Sequence, residues 1–169
     1  MHDTAFDFIA RTVEASGLAA GSILEVGSGE QDNGGYGSQV RNLFTGPYFG
    51  IDRVSGPGVD AVMDIETTVP ACGPFDTVLS AEMMEHTPHP WVAMNNMAQA
   101  LKPGGHLIVT CRGYDDHGYA PVHMAPWDFW RFSVQGMVHL LHFVGLRVIR
   151  CSPDPHEMWR GVLAHAVKP

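Results

Sequence analysis

The seven residues Ile23-Leu24-Glu25-Val26-Gly27-Ser28-Gly29 constrain this chain more than any other stretch. An apolar run that holds an acid and then meets two glycines one residue apart reads as the first strand of an α/β sheet, entering a loop where the backbone comes close to a ligand. A Cβ at either glycine would crowd that ligand and restrict the turn. Two glycines alone are a weak sign. The next apolar run, Tyr48-Phe49-Gly50-Ile51-Asp52, closes on a carboxylate at about the spacing of a ribose-binding acid. Together they predict a nucleotide-like ligand with free ribose hydroxyls.

The rest of the chain repeats the same rhythm. Residues 4–16 place Phe6, Ile9 and Val13 on one helical face, with Asp3-Thr4 as capping residues and Gly17 as the stop. After the glycine loop, a polar stretch containing Gly34, Gly35 and Gly37 leads to a short helix from about Tyr36 to Leu43. Val59 to Ile65 reads as a third strand that carries Asp64 near its end, and Phe75 to Ser80 as a fourth, apolar on both faces like a buried parallel strand. A helix follows from Pro88 or His89 to Leu101, with proline suited to its entry. Lys102-Pro103-Gly104-Gly105 is turn chemistry before a fifth strand, His106 to Cys111. Beyond an irregular stretch from Arg112 to Arg131, Ser133 caps a helix that ends at Gly145, and Leu146 to Cys151 and Gly161 to Val167 close the set as strands six and seven.

Strands alternating with helices predict parallel βαβ units in a doubly wound sheet, whose ligands lie at the carboxyl ends of the strands. Glu25 to Gly29, Asp52, Asp64 and the Ser80 to Glu82 segment all fall at such ends, so four strands point into one crevice.

Composition removes several alternatives. Ten Lys and Arg against eighteen Asp and Glu, never clustered, disfavour a nucleic-acid substrate. The longest apolar run is far short of the roughly 20 residues that span a bilayer, and the N-terminal residues carry no basic region before an apolar core, so a cytoplasmic protein without membrane contact is expected. Cys72, Cys111 and Cys151 are scattered without paired spacing, which argues against a disulfide framework and a zinc site. The length of 169 residues and the absence of any composition shift predict one domain over residues 1–169.

The ordered set Leu24-Glu25-Val26-Gly27-Ser28-Gly29, Gly50-Ile51-Asp52, Met63-Asp64-Ile65, Phe75-Asp76-Thr77-Val78, Glu82-Met83-Met84-Glu85-His86 and Leu101-Lys102-Pro103-Gly104-Gly105 closely resembles the class I S-adenosylmethionine-dependent methyltransferases, in particular the type 11 group. The segment from His123 to Ser133 is also similar to a pattern found after the fifth strand in part of that group. The resemblance implies a Rossmann-like seven-stranded sheet of order 3-2-1-4-5-7-6 with strand 7 antiparallel. It implies S-adenosyl-L-methionine as cofactor, held by Glu25, Gly27, Ser28, Gly29, Asp52, Arg53, Asp64, Ile65, Ala81, Glu82 and Met83. Within that set the glycines line the methionine part, Asp52 holds the ribose hydroxyls, Asp64 and Ile65 meet the adenine, and Ala81 to Met83 border the methyl-transfer site. An acidic rim suits a cofactor that carries a sulfonium, an ammonium and two hydroxyls but no phosphate. One departure from the group is Gln31, which stands where a third loop glycine is common.

The expected reaction is methylation of a small molecule at O, N or C by in-line displacement, which mainly requires alignment of acceptor and methyl group and exclusion of water. A non-catalytic S-adenosylmethionine-binding partner or regulatory domain is the alternative. A nicotinamide-dependent oxidoreductase shares the glycine loop but has no place for the later motifs. His117, His123, Trp127, Asp128 and Arg131 are the candidate acceptor contacts, and the short insertion that carries them predicts an open pocket that a second copy or a partner chain would complete. His86 is a weak candidate base, read more simply as a capping or lining residue. Asp115, Asp116, His117 and His123 match no compact ligand spacing, so they read as an irregular polar loop and no metal is expected.

Overall fold

The computed structural model describes residues 1–29, 36–114, 127–156 and 160–169. Seven strands, β1 (Ile23–Val26), β2 (Tyr48–Asp52), β3 (Ala61–Val62), β4 (Phe75–Ala81), β5 (Leu101–Arg112), β6 (Arg147–Pro153) and β7 (Gly161–Val167), form one sheet of order 3-2-1-4-5-7-6. The first five pair in parallel, while β7 runs antiparallel between β5 and β6. Order and direction both agree with the sequence reading. Because β7 is reversed, the connection from β6 to β7 comes back to the end of the sheet at which β1, β2 and β4 finish.

Helix α1 (Asp3–Ser16) and helix α2 (Tyr36–Arg41) cover one face, with Ile9, Val13 and Val40 packed on Ile23, Leu79, Ile108 and Leu163. Helix α3 (Pro90–Ala100) and helix α4 (Val134–Phe143) cover the other, where Met94, Met97, Met137 and Leu141 meet Leu24, Val78, Leu107 and Val109. All four residues of β1 are buried, as a central strand covered on both faces requires.

Three local expectations are corrected. The third strand does not run from Val59 to Ile65, since only Ala61 and Val62 pair with β2. Asp60 instead turns its carboxylate to the Gly50 N–H at 2.7 Å, and Asp64 opens a turn in which its carbonyl accepts from Thr67 and Thr68. Asp3 and Thr4 do not cap α1; the N-cap is His2, which makes no capping side-chain bond. Lys102 to Gly105 belong to β5, because Leu101 already pairs with Phe75, and the register then slips before Thr77 meets His106. A separate segment lies between β4 and α3, as the sequence reading has it. Met84–His86 form a separate 3-10 turn, and α3 begins at Pro90. Ser133 does cap α4, its hydroxyl accepting from the Gly136 N–H at 3.1 Å.

Candidate cofactor and acceptor site

The carboxyl ends of β1, β2 and β4 converge as the motif spacing predicts. Gly27 has φ +82°, and a Cβ there would lie 2.7 Å from Met83 Cγ, so the glycine is required by the neighbouring strand end as well as by the turn. At Gly29 a Cβ would lie 2.9 Å from Asp52 Oδ2. The same Asp52 oxygen accepts from the Gly29 N–H at 3.1 Å, and Oδ1 accepts from the Val54 N–H at 3.1 Å. A carboxylate has about two acceptor directions on each oxygen. Both Asp52 oxygens are therefore fixed by backbone amides while each keeps one direction for a hydroxyl.

Glu25 is buried, and its Oε2 accepts from the Tyr48 hydroxyl at 2.8 Å, tying β1 to β2. Burial, reinforced by the Glu25 charge, pushes the Tyr48 phenol well above its ordinary range, so it remains a donor. Ser28 and Ser80 are buried, and their hydroxyls make no hydrogen bond to protein. Asp64 Oδ1 accepts from the Glu66 N–H at 2.9 Å, and the Ile65 carbonyl accepts from Asn96 at 2.7 Å, so α3 holds the β3 end in place.

The end of β4 is the unusual part. Glu82 adopts φ +53°, a left-handed conformation that is uncommon outside glycine, asparagine and aspartate. Its carboxylate lies 3.9 Å from His2 Nε2. Glu85 is fully buried, neither carboxylate oxygen has a hydrogen-bond partner, and Arg112 Nε stands 4.0 Å away. Burial raises the pKa of both carboxyls, and the Glu85 charge raises that of Glu82 further. A buried acid without hydrogen bonds, set close to a second, half-buried one, is a costly arrangement for a fold, and such arrangements concentrate at functional sites. Sequence reasoning did not single out Glu85 or Arg112; the signal available was the second acid in Glu82-Met83-Met84-Glu85.

His86 is oriented rather than open. Its Nδ1 is hydrogen-bonded to the Trp127 carbonyl, and its own carbonyl accepts from Arg53 at 3.1 Å. Arg53 lies 5.4 Å above the Trp127 ring. The Phe129 and Trp130 N–H groups both donate to the Glu85 carbonyl, at 2.9 and 3.2 Å, and the Trp130 indole donates to Pro88 at 3.2 Å. Asp128 and Arg131 form a two-pronged ion pair with side chains 2% and 9% exposed. Residues 127–132 are thus strapped onto the turn after β4. Trp127 is 54% exposed and Phe129 43%, which leaves an aromatic surface beside the strand ends. Of the predicted acceptor contacts, Trp127, Asp128 and Arg131 are brought to this place; His117 and His123, with Asp115, Asp116 and Gln31, lie outside the described residues.

Asp52's two open acceptor directions, the orphaned serine hydroxyls and the acidic β4 end suit a ligand that offers hydroxyl donors and positive charge. S-adenosylmethionine has both.

Comparison with known proteins agrees. Residues 1–148 match a family described as methyltransferase domain. A ubiquinone biosynthesis O-methyltransferase of Xanthomonas euvesicatoria pv. vesicatoria is 28% identical over 188 residues, covering 90% of this chain and 78% of that protein. The protein of the same name from Xylella fastidiosa strain M23 is 33% identical over 121 residues, 62% of this chain, but this chain spans only 46% of its length. Among solved structures, the 1,6-didemethyltoxoflavin-N1-methyltransferase of Burkholderia thailandensis superposes with a TM-score of 0.77 at 14% identity, covering 97% of this chain and 78% of that one. The N-methyltransferase NodS of Bradyrhizobium japonicum, solved with S-adenosyl-L-homocysteine, gives 0.70 at 18%, covering 97% and 85%. At these identities the structural likeness is one of fold.

Proposed function

The chain belongs to the methyltransferase domain family as a class I enzyme dependent on S-adenosylmethionine, and from that premise we propose that it methylates a small, flat acceptor held between the β4 end and residues 127–132. The observation that carries the site assignment is Asp52, fixed by two amides with one acceptor direction left on each oxygen. The cofactor, when bound, supplies a methyl group on a sulfonium. In this reading Asp52 takes the ribose hydroxyls and Gly27 to Gly29 line the methionine part. Asp64 and the Ile65 backbone meet the adenine, Arg53 flanks the ribose side, and Ala81 to Met83 border the transferred methyl.

The acceptor rests on Trp127 and Phe129, whose rings stand 6.4 Å apart, with the Arg53 guanidinium next to the first. Aromatic faces and one cation suit a planar acceptor that carries partial negative charge. The Asp128–Arg131 pair holds that wall and excludes water from one side. His86 acts as a positioning residue, since one ring nitrogen is committed to Trp127.

Calorimetry with S-adenosylmethionine tests the cofactor half: Asp52→Ala is expected to weaken binding by roughly tenfold or more, from the loss of charge-assisted bonds worth about 1.5–3 kcal/mol each. Unaltered affinity in that variant, or no binding by the wild-type chain, would remove the assignment. For the acceptor half, Trp127→Ala and Asp128→Ala are expected to raise KM for an identified acceptor, and unchanged turnover in both would displace the pocket.

A further inference from the structure

At the start of α1, two imidazoles and a carboxylate gather where nothing in methyl transfer needs them. His2, Asp3 and His156 each offer a ligand atom, and these atoms lie within 4.8 Å of one another. The rings of His2 and His156 are 4.7 Å apart, centre to centre, and His156 Nε2 is 3.9 Å from Asp3 Oδ1.

Hydrogen bonding fixes the state of His2. The Thr4 hydroxyl donates its one hydrogen to Asp154 Oδ1 at 2.6 Å, so toward His2 Nδ1, 2.9 Å away, it can only accept. Nδ1 therefore carries the ring hydrogen. In the neutral ring Nε2 is then a bare lone pair, and this atom is buried without a hydrogen-bond partner. It faces carboxylates: Asp154 Oδ2 at 3.4 Å, on a side chain only 1% exposed, and Glu82 Oε2 at 3.9 Å. A lone pair set against two carboxylates is repulsive unless a cation stands among them.

We propose that His2, Asp3 and His156 bind a divalent transition-metal ion of the zinc class, with Asp154 completing the site. Two imidazole nitrogens with carboxylate oxygens are a donor set suited to Zn2+, Ni2+ or Co2+ rather than to Ca2+ or Mg2+. A ring N–H donated to a hydroxyl that is itself tied to a carboxylate is the outer arrangement that orients metal-binding imidazoles. Bonds of about 2.0–2.2 Å require the ligand atoms to close to roughly 3.4 Å. Asp3, whose side chain is 68% exposed, has the freedom to close that gap. The ion would pin the start of α1 to the chain just after β6 and place positive charge beside Glu82. Spacing in sequence gave no sign of the site, because its two halves are about 150 positions apart.

The test titrates Zn2+ into the metal-free, tag-free chain, followed by calorimetry and by the thermal midpoint. One ion per chain is expected, with a midpoint that rises on zinc addition. His2→Gln, His156→Gln and the exposed Asp3→Asn should each weaken binding at least about tenfold, the size typical of losing one ligand or its support. Retained S-adenosylmethionine binding in His156→Gln shows that this variant is folded. Absence of saturable uptake by the wild type overturns the proposal and leaves a proton as the cation. Loss in His2→Gln with full retention in His156→Gln also overturns it, since the binding is then a local chelate around His2.

Discussion

At the residue scale, the glycine loop does two jobs at one position. Gly27 is left-handed and also abuts Met83, so Gly27→Ala meets both backbone strain and a steric clash. Each is worth about 1–3 kcal/mol, and the expected result is a fall in thermal midpoint together with loss of cofactor binding. Adding Met83→Ala should recover only part of the stability, because it removes the Cγ contact at 2.7 Å and leaves both the strain and the Met83 Cβ contact at 2.8 Å. Full recovery in the double variant, measured by denaturant unfolding, would mean that strain contributes nothing. His86 can be judged by how its substitution divides between constants. His86→Gln should raise the acceptor KM more than it lowers kcat, as expected for a group that aims Trp127; a fall confined to kcat would make it a base. The glycine turn and the strand-end position of Asp52 were legible in the sequence because their chemistry is local. The Tyr48 bond to Glu25, the left-handed Glu82 and the Arg112–Glu85 approach were not, because each depends on which strands become neighbours.

Individual elements carry their own consequences. Ser133 caps α4 through the Gly136 N–H, and Ser133→Ala is expected to cost about 1 kcal/mol in urea unfolding, within the usual range of about 0.5–2 for a lost cap. The β5–β7 ladder holds a histidine pair far from the cofactor crevice. His106 Nδ1 and His165 Nε2 are 2.8 Å apart, and one hydrogen serves both. Burial, then the His106 charge, depresses His165 to about 4, and burial with Arg147 lowers His106. Arg150, the register partner of His165 on β6, adds a second cation on that side. An imidazole depressed in the folded state binds protons more readily when unfolded. The pair's contribution is therefore complete above the ordinary histidine value of 6.5 and is lost as pH falls toward about 4. The loss should be on the order of 2 kcal/mol. Stability measured from pH 7.5 to 4.5 should show this slope, and His165→Leu should flatten it. Element order and strand direction could be anticipated because alternating apolar periods and glycine turns encode them. The true ends of β3 and β5 could not, because the register slip beside Phe75 and the Asp60 bond to Gly50 are set by the partner strand.

For the molecule as a whole, a ligand that binds only the folded chain stabilises it by mass action, about 2.7 kcal/mol at a hundredfold excess over Kd. The thermal midpoint should climb steadily with S-adenosylmethionine, and Asp52→Ala should need a correspondingly higher concentration for the same rise. A midpoint unmoved by saturating cofactor would contradict the site at the level of the entire fold. The direction of β6 has a kinetic meaning as well. Being parallel to β5, it finishes at the crevice end, where Asp154 accepts a hydrogen bond from the Thr4 hydroxyl across 150 positions of chain. Contacts that close such long loops cost the most chain entropy and tend to form after the folding transition state. Thr4→Val should therefore leave the refolding rate nearly unchanged and accelerate unfolding, so that this short seam between the first residues of α1 and the end of β6 sets how long the native state lasts rather than how fast it is reached.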